Sequence, residues 1–110
     1  MRTLRFIVNG QIIKPDPNCD FSNLVPGTDG YLQAEFSFSR EWDSCPLKVA
    51  SFWSVMGHEY PPCKLVDGHR CNIPAEALAK RTFKIQVLGK GPEIRLTTNK
   101  VSVTQDGGRV

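Results

Sequence analysis

The chain has 110 residues, enough for one domain with one core, and with 40% apolar and 23% charged residues it is not a disordered polymer. No apolar run has the length of a membrane span or the form of a signal-peptide core, so the expectation is a soluble protein made in a cytoplasm. The formal charge of +3 is small and the Lys and Arg residues are scattered, with one dense group at Lys80, Arg81 and Lys84, so a nucleic-acid partner is not expected.

Leu4–Val8 alternates like a strand, Asn9-Gly10 reads as a primed hairpin turn, and Gln11–Ile13 is the return strand. Residues 14–30 carry Pro15, Pro17, Pro26 and Gly27 and form a long loop that Phe21, Leu24 and Val25 pin to the body. Tyr31–Ser39 alternates with period two, placing Leu32, Ala34, Phe36 and Phe38 on one face. The chain then leaves the strand at Ser39–Asp43, where Trp42 can bury a large ring while its N–H reaches a carbonyl. Lys48–Ser54 has apolar groups on both faces, Ala50 and Phe52 against Val49 and Trp53, as expected of a central or partner-covered strand.

Met56-Gly57-His58 makes a turn, and Pro61-Pro62 interrupts the return strand, since proline cannot donate to a ladder. Asp67-Gly68 turns the chain again into His69–Ile73. Pro74–Leu78 has proline at a first helical position followed by good helix formers, which predicts a helical turn or two by Lys80. Thr82–Leu88 is a clean strand with Phe83, Ile85 and Val87 inward, and Gly89–Pro92 is a turn. Glu93–Thr97 and Val101–Thr104 close the fold with Ile94, Leu96, Val101 and Val103 as the apolar set, and residues 105–110 form a flexible tail.

This succession of short strands and turn signals predicts a single all-β domain over residues 1–110. The expected fold is an antiparallel β-sandwich, Ig-like or jelly-roll-like, of about eight strands with one short helical turn. Phe36, Trp42, Phe52, Cys71, Phe83 and Ile85 are the expected core.

Motifs for chemistry are few. The cysteines at 19, 45, 63 and 71 form no C-x-x-C pair, and four reduced thiols are expected. If Asp67-Gly68 is a two-residue turn, Cys63 faces Asn72, and the Cys63 and Cys71 thiols point to opposite sides; a one-residue bulge would change that. In the same register His69 and Cys71 share a face without Cys63, so C-x5-H-x-C is a poor ligand set. His58 and His69 lie beside turns, no G-x-S-x-G frames a serine, and no phosphate-binding glycine loop occurs. The expectation is therefore no enzyme, no catalytic residue, no metal and no cofactor.

The strings FSFSREWD, LKVASFW, DGHRCNIPAEAL, FKIQVLG and IRLTTNKVSVTQDGG together resemble the small β-sandwich domains of phage and prophage tail and baseplate proteins from Gram-positive hosts. The likeness covers about residues 30–108 and its motifs are structural rather than catalytic. It implies a phage-encoded module, virion-associated in a tail or baseplate, that works in the bacterial host cytoplasm or the particle and assembles through protein–protein contacts, including self-association. The alternative is a small phage inhibitor that binds a host defence protein or sequesters its small-molecule signal. The expected contact surface is the hairpin carrying Trp53, Val55, Met56, His58 and Tyr60, because aromatic residues and methionine crowd a turn that should otherwise be polar.

Overall fold

In a computed structural model, which describes residues 1–105, the alternating segments become two packed sheets. The first has the order β2-β1-β3-β6, built from β1 (Arg2–Asn9), β2 (Ile12–Pro15), β3 (Leu32–Phe38) and β6 (Arg70–Asn72). The second runs β5-β4-β7, from β5 (Cys63–Lys64), β4 (Leu47–Ser54) and β7 (Thr82–Lys90). β4 covers one edge of β7 along its length, so β8 (Arg95–Thr97) and β9 (Val101–Thr104) share the other. The protein is an all-β sandwich, with nine strands among the described residues, a helical turn α1 (Ala75–Leu78) and a 3-10 turn at Arg40–Ser44.

The periodicity explains which side chains meet. Leu4, Phe6 and Val8 of β1 and Ala34 and Phe36 of β3 point inward from the first sheet, and all are buried. Ala50, Phe52, Phe83, Ile85, Val87 and Val103 answer them from the second. Phe6 stacks on Phe36 at 5.6 Å between centroids and takes the edge of Phe21 at 5.5 Å, so the long loop is held by an aromatic contact as well as by buried Leu24. Arg2 adds a polar clamp, donating to the carbonyls of Asp20, Ser22 and Asn23. Val25, expected among the anchors, is exposed, because Leu24 alone of the two turns inward.

Several local expectations change. β1 and β3 pair in parallel, from Arg2↔Leu32 to Val8↔Phe38, so the first sheet is mixed. The segment 16–31 is therefore a crossover, and parallel neighbours need a connection of that length. The β1–β2 turn is centred on Gly10-Gln11 rather than Asn9-Gly10: Asn9 pairs with Ile12, and Gly10 takes the positive φ of 59°. Lys14 and Pro15 belong to β2, not to the loop.

Pro74 lies just before α1 in extended conformation, with the first helical residue at Ala75. Gly89 is a strand residue, not a turn residue. A Cβ there would lie 2.6 Å from Trp42 Cζ3, so the missing side chain makes the slot into which the ring fits. Ile94 leaves the core and is exposed in the turn before β8. Gln105 is buried and hydrogen-bonded rather than part of a tail; the rest of that expected tail, 106–110, lies outside the described residues.

Candidate protein-binding site

The loop after β4 is fixed by its own backbone. Ser54 N–H donates to the His58 carbonyl at 2.8 Å, Gly57 N–H to the Ser54 carbonyl at 3.1 Å, and His58 N–H to Ser54 Oγ at 3.0 Å. Gly57 supplies the φ of 91° that closes the turn. Trp53 pairs with Glu59, and Tyr60 N–H bonds the Phe52 carbonyl at 2.8 Å.

That register decides which residues are offered to a partner. Phe52 faces inward, so Tyr60 opposite it does too, and Tyr60 is only 7% exposed. It closes the end of the core, with His58 edge-on at 5.2 Å, and is not the exposed contact residue that the sequence suggested. Val55 and Met56 sit at the turn and are 55% and 90% exposed. Trp53 lies on the outer face of the second sheet and is half-buried, with Lys100 Nζ 3.6 Å from its ring centroid.

Beside this hairpin a groove of about 630 Å³ opens. Ser54, Val55, Met56, His58 and Tyr60 line it on one side, and Lys80, Arg81 and Thr82, leading from α1 into β7, on the other. Gln105 anchors this second wall: its side-chain amide donates to the carbonyls of Leu78 (3.0 Å) and Lys80 (2.8 Å), and its N–H to that of Arg81 (2.6 Å). The sequence reading noted Lys80 and Arg81 only as a dense basic group and did not join them to the hairpin. The available signal was the inward phase Val101, Val103, Gln105, which buries an amide that must find carbonyls nearby.

Among the described residues the groove lining combines apolar surface with cationic and imidazole groups and includes no carboxylate or thiol. Ser54 Oγ accepts from the backbone N–H of His58. Such a lining can bind, through apolar contact and attraction for negative charge.

The other candidates lie elsewhere. Phe36, Trp42, Phe52, Cys71, Phe83 and Ile85 are all buried. Trp42 Nε1–H donates to the Gly10 carbonyl at 2.9 Å. His69 turns both ring nitrogens away from the cysteines, Nδ1 to the Asp67 carbonyl at 2.9 Å and Nε2 to Glu35 at 3.5 Å. Among the described residues no three side chains of metal-ligating type gather.

The two thiols do meet, contrary to the opposite-sided register. Val66 pairs with Arg70, so the turn holds three residues, Asp67-Gly68-His69, and beyond that bridge β5 and β6 part into different sheets. Cys71 faces inward opposite Ala34 in one sheet, and Cys63 reaches it from the other across the seam, with both thiols free. The hydrogen bond from Cys71 pulls the Cys63 thiol down to about 7, against the opposing effects of burial and Glu76. The same bond, with burial, holds the proton on Cys71.

No protein-family model matches the chain, and no curated protein matches it significantly. Among the described residues no helix is long and apolar enough to cross a membrane.

Proposed function

We propose that this protein is a non-enzymatic, phage-encoded binding module of the tail or baseplate that joins a protein partner through the Ser54–Tyr60 end of its sandwich. The observation that carries the contact surface is Met56, 90% exposed next to half-exposed Val55 on a loop whose backbone is already fixed. Burying a Met or Val side chain fully yields about 1.5–3 kcal/mol each, and a rigid loop loses little entropy on docking. Lys80, Arg81 and His58 supply the polar rim that such contacts carry. The phage setting rests on the motif likeness of residues 30–108 to tail and baseplate sandwich domains.

The test is incorporation into particles. Mass spectrometry of purified virions should detect the protein, and the Val55→Ser/Met56→Ser variant should be lost from them while its melting temperature stays at the wild-type value. Absence of the wild-type protein from particles would remove the virion reading. Normal incorporation of the double variant would remove the hairpin as contact.

A second reading draws on the two cations in the groove, whose volume of about 630 Å³ suits a small molecule. In that reading the protein is a phage inhibitor that sequesters an anionic host-defence signal. It requires the protein in the infected cytoplasm and not in particles.

A further inference from the structure

The two sheets differ on their outer faces. On the first, Arg5 Nε pairs with Glu35 at 3.1 Å, and His69 approaches the same carboxylate at 3.5 Å. The turn leading into β6 holds a third pair, Arg70–Asp67, at 3.1 Å. Most of the charge on that side is paired within the chain, Lys14 opposite Ile7 excepted. The register of the second sheet puts Leu47, Val49, Ser51 and Trp53 of β4 outward beside Lys90, Leu88, Gln86 and Lys84 of β7. Lys64 joins them opposite Val49, and Arg95 opposite Lys90. Lys64, Lys84, Lys90, Arg95 and Lys100 make no ion pair among the described residues. The strand positions of this face hold no acid, and Glu59, paired with Trp53, is the carboxylate beside it.

Among these cations is a shallow depression of about 320 Å³ in which Leu47, Val49, Pro62 and Leu88 meet Lys90, Arg95 and the carboxylate of Glu59. Leu47 is 40% exposed on a strand whose other face buries Ala50 and Phe52 in the core. An apolar centre with a charged rim is the anatomy of a protein interface, and here cations outnumber the one carboxylate of the lining, Glu59.

We propose that the outer face of the five-stranded sheet docks the acidic surface of a second protein, with aliphatic side chains seated on Leu47, Val49 and Leu88 and carboxylates paired to the surrounding cations. Charge selects this occupant. A second copy docked face to face would set like charges against each other. A nucleic acid would need open aromatic faces on which bases stack, and the one ring here, Trp53, is already covered by Lys100. The inference shares with the proposed function only the premise that the protein binds a protein, and it uses a different surface.

The experiment uses the full chain labelled with 15N and a synthetic peptide of alternating Glu and Leu as probe. Its lysine–leucine counterpart and a thymidine oligonucleotide serve as comparisons. Amide shifts confined to β4, β7 and β8, weakening as salt rises, are expected. Lys90→Glu with Arg95→Glu should weaken binding at least about tenfold, while Val55→Ser/Met56→Ser should leave it unchanged. Shifts centred on the Ser54–Tyr60 groove, loss of binding in the Val55/Met56 variant, equal binding of the lysine peptide, tighter binding of the oligonucleotide, or no binding at millimolar peptide would each overturn the proposal. The shift map uses the wild-type chain, so it stands even if a charge variant folds poorly. Virion incorporation through the hairpin is measured separately and can hold or fail without it.

Discussion

The two tryptophans occupy opposite ends of β4 and are treated in opposite ways. Trp42 is fully buried, its N–H bonded to Gly10, its ring against Phe38 at 5.1 Å and over the bare backbone of Gly89. Three separate segments, β2's turn, the 3-10 turn and β7, are arranged around it. Trp53 lies on the outer face with its N–H buried and without a partner among the described residues, and Lys100 over its ring. An unpaired buried N–H costs about 1–3 kcal/mol, and a cation over the ring returns about 0.5–2. A ring with every group satisfied marks a closed end of the core. A ring with a group left over is held less completely by the chain around it.

This comparison predicts a graded series. Trp42→Ala should cost about 3–5 kcal/mol in chemical denaturation, because the slot cannot collapse around the loss; a cost below about 1 kcal/mol would show that this end is not closed by the ring. Tyr60→Ala should cost about 2–3 kcal/mol, since it shuts the opposite end of the core. If it leaves stability unchanged and abolishes partner contact instead, the inward register of Tyr60 is wrong.

Trp53→Phe removes the unpaired N–H and should change stability by less than about 1 kcal/mol, with a gain as readily as a loss. A large loss would reveal a hydrogen bond that Trp53 makes. Val55→Ser with Met56→Ser should stay within about 0.5 kcal/mol, as surface changes do.

A chemical probe at the seam between the sheets completes the series. Cys63 is pulled down to about 7, so its thiolate forms as pH rises through that value, below the usual thiol range. Iodoacetamide labelling of Cys63, followed by mass spectrometry, should climb through neutral pH while Cys71 is spared. Equal labelling of both would mean that the pair does not form.

Much of the fold was legible because the period-two pattern is local. Leu32 to Phe38 and Thr82 to Val87 declare their inward faces residue by residue, and Trp42 declares itself as an anchor by size and polarity. What was not legible depends on partners far away in the chain. Nothing in residues 2–9 or 32–38 says that they run parallel; the crossover loop between them decides it. Gly89 reads as a turn residue until Trp42 is placed above it. Cys63 and Cys71 meet because β5 and β6 join different sheets, which nothing in the segment 63–72 declares. The turn of the hairpin after β4 is legible in Met56-Gly57-His58. Tyr60 was misjudged within it because its direction follows from the Trp53↔Glu59 pairing, which its own neighbours do not encode.

The parallel pairing of β1 with β3 has a kinetic side. The β1–β2 hairpin closes over two residues and can form in about 1–10 μs. β3 cannot register against β1 until residues 16–31 have swung back across the sheet, and such non-local pairing places folding in about the millisecond-to-second range. The Arg2 clamp onto Asp20, Ser22 and Asn23 joins β1 to that crossover, so it can be completed only after the loop has returned. It therefore acts as a latch on the finished sheet: losing it should leave the rate of folding nearly as it was and hasten the rate of unfolding.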